Sequence, residues 1–113
     1  MPKIGLTADR APGEVTEAIA RLGRNIATAR VRRRMSQRDL GRRAGISHIT
    51  MGRVEAGHPT TAIGAYWAAL WALGLEREFK ELAAPDRDEE GKALELAREP
   101  RRVRHSGGLD ADF

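Results

Sequence analysis

The chain contains no cysteine, so disulfide bonds and thiolate chemistry are excluded, and the composition suits a reducing cytoplasm. Long apolar runs are missing as well. The longest run, at 65–73, is far too short to cross a bilayer as a helix. The first residues contain neither the apolar stretch nor the cleavage site of a secretory signal. These absences predict a cytoplasmic protein with no membrane segment.

The residue sets that carry catalysis or hold a cofactor are also missing. No Ser-His-Asp set, glycine-rich phosphate loop or pair of catalytic carboxylates can be recognised. His48, His58 and His105 lack the spacing of metal ligands and have no cysteine to join them. The acidic run 86–90 suits the first turn of a helix, and weak cation chelation is the alternative. We therefore expect neither an enzyme nor a resident metal or cofactor.

Positive charge is what the chain has in excess, and it is concentrated in the middle. The net charge is +4, but 21–58 holds ten arginines against Asp39 and Glu55, whereas 75–99 holds nine acidic and five basic residues. A concentrated basic face is the electrostatic footprint of phosphate contact. A solvated arginine-rich surface has the same composition, so charge alone does not decide between the two interpretations.

The apolar spacing predicts an all-α fold, because it follows a helical period and no segment alternates with the period of a strand. Changes in charge and the positions of proline and glycine then indicate the boundaries between four segments of the chain. The expected parts are a flexible arm (1–13), a five-helix domain (14–84), a charged C-terminal helix (85–99) and a flexible tail (100–113).

Helix boundaries follow from capping residues, glycine and proline. The first helix is expected over 14–34. A fourth helix, apolar nearly all round, is expected over 62–73 with Thr61 as its cap, and a fifth over 76–83.

Between the first and fourth helices lies a pair of short helices. Ser36 and Ser47 can cap their first turns, and Asp39 completes an approximate capping box with Ser36. Gly45 ends the first of the pair, where a positive φ is needed. A short helix packed across another in this way holds the second one out from the surface, where it can enter a DNA major groove.

This segment resembles the Xre family of helix-turn-helix domains, to which the lambdoid phage repressors and Cro belong. The resemblance covers about residues 21–75 and departs from the family pattern at Gly41, where alanine is usual. It implies a lambda-repressor-like fold and sequence-specific DNA binding. The matching positions are Ser36, Gln37, Leu40, Gly45, Ile46, Ser47, Val54, Glu55 and Gly57.

The resemblance also implies roles for individual residues. Gln37, at the start of the second helix, would bind a DNA phosphate. Arg38, together with Arg42 or Arg43, would make further phosphate contacts that position the protein without reading sequence.

Residues at the start of the third helix would meet the bases, with Thr50 near the DNA backbone. Arg53 is the strongest candidate for specificity, because a guanidinium can hydrogen-bond guanine N7 and O6 together, and Ile49 can contact a thymine methyl. Arg30 and Glu55 match a family pair that forms a structural salt bridge. The expected DNA-binding positions on this helix are Ser47, His48, Ile49, Thr50, Gly52 and Arg53.

Trp67 and Trp71 stand one helical turn apart on the fourth helix, outside the positions that the resemblance assigns to the core. Either a later helix covers them, or they form the interface of a homodimer, since aromatic anchors dominate interfaces. We favour the homodimer, which would bind a palindromic operator. The core positions implied on this helix are Ile63, Tyr66, Ala69, Leu70 and Leu73.

The flanks resemble HipB-like antitoxins in the apolar run 66–75, the acidic segment 85–91 and the basic cluster 100–104. Such proteins repress their own operon as dimers and pair with HipA-like kinase toxins. The flank resemblance therefore implies an autoregulating antitoxin that is held at the bacterial nucleoid through operator DNA. Leu109 and Phe113 in the tail are expected to anchor the toxin.

Two other functions remain open. The first is a stand-alone transcriptional regulator with no toxin partner. The second is a protein-interaction module that no longer binds DNA, against which Gln37 and the basic recognition region argue.

Overall fold

The computed structural model describes residues 12–98, and over this range the chain is helical and contains no strand. The all-α prediction is confirmed for this part of the chain. A 3-10 turn, Pro85–Arg87, lies between the last two helices, and the chain divides into two compact units after Phe79. The helices are α1 (Gly13–Arg32), α2 (Gln37–Ala44), α3 (His48–Glu55), α4 (Ile63–Leu73), α5 (Glu76–Lys80) and α6 (Glu89–Arg98).

The core of the first unit takes residues from each of α1 to α4. Its largest fully buried side chains are Ile26 from α1, Leu40 from α2, and Met51 and Val54 from α3. Burying a side chain of this size contributes about 1.5–3 kcal/mol. Both short helices are therefore held by their apolar sides, since neither is long enough to be stable alone. The fourth helix adds Ala65, Tyr66, Ala69, Leu70 and Leu73.

The backbones of α1 and α3 come very close at Gly23. A Cβ atom at this position would lie 2.5 Å from the carbonyl oxygen of Val54 and 2.7 Å from that of Glu55. Backbone atoms cannot move aside as a flexible side chain can, so only glycine fits. This contact fixes the C-terminal end of α3 against the longest helix of the unit.

Tyr66 of α4 anchors the loop that follows α3. Its hydroxyl donates a hydrogen bond to the carbonyl oxygen of His58 at 2.8 Å. A tyrosine hydroxyl is protonated at neutral pH and can donate, and burial raises the pKa of Tyr66 still further above neutrality. The loop therefore has a fixed attachment to the core.

Several helix ends differ from the predicted ones. The first helix ends at Arg32 rather than at Arg34, because Arg34 adopts a φ of 57°, which a right-handed helix cannot contain. The fifth helix ends at Lys80 rather than at residue 83, and Ala83 likewise has a φ of 57°.

The fourth helix begins one residue later than predicted and lacks the expected cap. Ala62 occupies the N-cap position, and no side chain caps the helix, so the capping role predicted for Thr61 is wrong. Its C-terminal end is the expected one, since Gly74 follows with a φ of 79°.

The second unit consists, in its described part, of the 3-10 turn and α6. The carboxylate of Asp88 accepts a hydrogen bond from the Gly91 N–H at 2.9 Å, so the end of the acidic run does begin a helix. The helix starts at Glu89 and not at residue 85 as predicted, because Pro85–Arg87 forms the 3-10 turn. Lys92 lies 3.5 Å from both Asp86 and Glu89. These ion pairs are exposed, and exposed pairs contribute little to stability.

Within residues 12–98, none of the helices combines the length and the apolar character that a membrane-spanning segment needs.

Candidate nucleic-acid interface

The second helix starts with a complete capping box. The Ser36 Oγ accepts a hydrogen bond from the Asp39 N–H at 3.0 Å, and the Asp39 Oδ2 accepts one from the Ser36 N–H at 3.2 Å. The hydrogen bond from the Ser36 backbone is the main cause that lowers the pKa of the Asp39 carboxyl below its usual value. The capping box predicted from the sequence is confirmed, and it fixes where α2 begins.

Only three residues connect α2 to α3. Gly45 has a φ of 78°, and the Ile46 N–H closes the turn by donating to the Gly41 carbonyl oxygen at 2.9 Å. The Ser47 Oγ then accepts from the Thr50 N–H at 3.0 Å and caps α3. The two helices are therefore joined by a short, hydrogen-bonded turn with a capped helix after it, as the sequence predicted.

An ion pair between Arg30 and Glu55 joins the end of α1 to the end of α3. The Arg30 Nε lies 2.6 Å from the Glu55 Oε2, and the Arg30 Nη2 lies 3.1 Å from the Oε1. The Arg30 Nη1 also donates to the Met35 carbonyl oxygen at 2.7 Å. The resemblance implied a pair between these two residues, and the described structure contains one.

Gln37 belongs to the same network, which the sequence did not reveal. Its Nε2 donates to the Glu55 Oε1 at 2.9 Å, so the side-chain amide of the first α2 residue reaches the end of α3. An amide group has two N–H donors, and this hydrogen bond uses one of them. Gln37, which was predicted to bind phosphate, thus also links the two short helices by a hydrogen bond.

The outward side of α3 is exposed and carries chemically varied side chains. Ile49 is 61% exposed, and Ser47, His48 and Arg53 are also exposed. Thr50 and Gly52 are half-buried. The structure therefore places His48, Ile49 and Arg53 on the exposed side of α3, away from the buried Met51 and Val54. We call this surface the α3 face: Ser47, His48, Ile49, Thr50, Gly52 and Arg53.

The neighbouring helix α2 carries exposed arginines as well. Arg38, Arg42 and Arg43 are all exposed. Arg42 lies 3.1 Å from the Asp39 carboxylate, so its charge is partly neutralised. Within residues 12–98, no acidic side chain forms an ion pair with Arg38 or Arg43.

The α3 face borders an open groove of about 530 Å³ that runs to the start of α4. Arg53, His58 and Thr60 line the groove, and the Thr60 hydroxyl lies 3.0 Å from the His58 Nδ1. Polar groups therefore continue beyond the end of α3.

A stripe of apolar side chains runs along the outer side of α4. Trp67 is 38% exposed because Phe79 of α5 packs against it, with ring centroids 4.4 Å apart, whereas Trp71 is 59% exposed. Ile63, which the resemblance placed in the core, is 69% exposed, so that assignment is wrong. Spacing by four residues puts Ile63 on the same side of the helix as the two tryptophans. The α4 stripe is Ile63, Trp67, Trp71 and the following Leu75.

Comparison of the chain with models of protein families, with curated proteins and with solved structures found no match. The case for a function therefore depends on the α3 face, the exposed arginines of α2 and the network that holds α2 against α3. Leu109 and Phe113, predicted to anchor a partner, lie outside the described residues.

Proposed function

We propose that this chain is a sequence-specific DNA-binding protein that represses transcription, built on a lambda-repressor-like helix-turn-helix domain. One observation carries the proposal. A short helix with a buried apolar side presents an exposed, partly basic side to solvent, and a capped three-residue turn fixes it to a second short helix. Such a pair is the arrangement that inserts a recognition helix into the major groove.

The dimensions fit this role. An α-helix with its side chains is about 10–12 Å across, and the major groove is about 12 Å wide, so the groove accepts a single helix such as α3. In our proposal, Arg53 hydrogen-bonds a guanine and Ile49 contacts a thymine methyl. Arg38 and Arg43 contact phosphates on either side, where they supply affinity rather than sequence preference.

We further propose that the chain binds DNA as a homodimer through the α4 stripe. Three large apolar side chains on one side of α4, together with Leu75 just after it, form the kind of exposed patch that marks an interface. Two-fold symmetry of the protein would then require two half-sites about 34 Å apart, one turn of the double helix.

Selection from a library of random duplexes with the full chain tests this function. We expect a two-fold symmetric sequence to be enriched. Replacement Arg53→Ala should weaken binding of the enriched duplex about tenfold or more, because a bidentate contact to a base contributes about 1–3 kcal/mol. Replacement of the exposed Arg77 on α5 by alanine is the matched control and should leave affinity unchanged. If no sequence is enriched even at low salt, the proposal is wrong.

The narrower proposal, from the flank resemblance, is a HipB-like antitoxin that represses its own operon and binds a HipA-like kinase toxin. The alternative is a stand-alone regulator. Co-expression with the product of the adjacent gene separates the two. A stable complex with a kinase-like protein supports the antitoxin, and a DNA-binding chain whose neighbouring genes encode no such protein supports the stand-alone regulator.

A further inference from the structure

Gly52 stands inside α3, where glycine weakens a helix relative to alanine. Several other glycines of the domain have a reason within the fold. Gly23 and Gly41 lie where a Cβ atom would come within 2.5 Å and 2.8 Å of a backbone oxygen, and Gly45 has a positive φ. At Gly52 neither reason applies. A Cβ atom there would meet only the Gln37 Oε1, at 3.8 Å, which is an ordinary van der Waals contact.

The position of Gly52 on α3 suggests where the reason lies. Residues three and four apart are neighbours on a helix surface, so Gly52 lies beside His48 and Ile49 and next to Arg53. It is thus surrounded by the exposed residues of the α3 face. Gly13 and Gly64 are equally uncrowded, but they lie in the first turns of α1 and α4. Gly52 lies within the α3 face, so its missing side chain leaves open the surface that a ligand of this face would meet.

We infer that the missing side chain at Gly52 lets the α3 backbone lie close against base-pair edges in the major groove, so that Gly52 determines both affinity and specificity. This inference rests on the proposed DNA-binding function. A Cβ atom at the centre of the contact would hold the helix away from the bases. A gap of even 0.5–1 Å forfeits roughly a quarter to a half of the dispersion energy of each contact. The same displacement lengthens hydrogen bonds from Arg53, which weaken steeply with poorer geometry.

The inference predicts effects of opposite sign on folding and on binding. Gly52→Ala should raise Tm by roughly 2–6 °C, because alanine is the better helix former. The same variant should bind the selected duplex about fivefold more weakly, and Gly52→Leu about a hundredfold more weakly. A glycine with a purely structural role would lower stability and binding together when replaced.

The experiment uses the full chain, the duplex selected by the wild-type protein and a shuffled duplex of the same composition. Binding to the shuffled duplex depends on phosphate contacts, so the ratio of the two affinities should fall in the Gly52 variants. Gly13→Ala, in the first turn of α1, is the control, because nothing lies within 4 Å of a Cβ atom built there. It should keep the wild-type affinity ratio.

Equal or tighter binding of the selected duplex by Gly52→Ala overturns the inference, and so does an equal loss in Gly13→Ala. Both results leave the proposed function intact, since the wild-type protein still binds. If the wild-type protein selects no duplex, the proposed function fails and the inference fails with it.

Discussion

Arg30 and Glu55 lie 25 residues apart on different helices and are joined by two hydrogen bonds, the shorter of them 2.6 Å. The Glu55 side chain is only 6% exposed. Because water hydrates this carboxylate so little, its negative charge is stabilised by the hydrogen bonds from Arg30 and Gln37. The pair therefore ties the α3 face to the longest helix of the domain.

Replacing Arg30 by methionine should lower the free energy of unfolding by about 3–5 kcal/mol, because Glu55 then keeps a buried charge with only Gln37 beside it. Urea denaturation followed by circular dichroism measures the loss. The double variant Arg30→Met/Glu55→Met is the control and should recover much of the stability, since it buries no unpaired charge. A loss below about 1 kcal/mol in the single variant would mean that the pair behaves like an exposed one.

Gly23→Ala should destabilise the domain by about 1–3 kcal/mol, because the added methyl group would overlap with backbone carbonyl oxygens of α3 that cannot move independently. Thermal unfolding provides the measurement. Gly64→Ala in α4 is the matched control, because nothing lies within 4 Å of a Cβ atom built there. An unchanged Tm in Gly23→Ala would contradict the close approach of α1 and α3.

The capping box should make stability depend on pH through Asp39. Its folded-state pKa is lowered, so its charge stabilises the folded state above the unfolded pKa of 3.8, and this contribution is lost as pH falls through the folded pKa. Wild type should therefore have a higher Tm than Asp39→Asn at neutral pH. The two should converge only as pH falls below 3.8 and through the lower folded-state pKa, where the carboxyl group becomes protonated. A difference in Tm that stays constant across this range would rule out the charge as the cause.

Trp71→Ser should convert the proposed dimer into a monomer, because it removes the most exposed aromatic side chain of the α4 stripe. Sedimentation of the full chain over a range of concentrations distinguishes the two states. Leu94→Ser on α6 is the control, since Leu94 is also 59% exposed. A wild-type protein that sediments as a monomer throughout would disprove the interface.

Local features of the site could be predicted from the sequence, because a few neighbouring residues determine them. Ser36, Asp39, Gly45 and Ser47 act within one helical turn of their partners, and each has the predicted role. The Arg30–Glu55 ion pair could be predicted only from the resemblance to the Xre family, since no local sequence pattern connects residues on different helices.

The remaining features depend on how the helices pack. The requirement for glycine at Gly23 arises where α1 meets α3, and the hydrogen bond from Gln37 to Glu55 crosses between helices. The exposure of Ile63 depends on which side of α4 turns inward, and an almost wholly apolar helix gives no periodic signal for this.

Because α3 has a buried and an exposed side, its exposed residues can be substituted during evolution without changing the core. Met51 and Val54 hold the helix in the domain, whereas His48, Ile49 and Arg53 are exposed. Exchanging exposed residues of this kind usually changes the free energy of unfolding by no more than about 0.5 kcal/mol. Under the proposed function, a few substitutions on one side of a single helix would therefore give the chain a new DNA target, while the rest of the domain stays as it is.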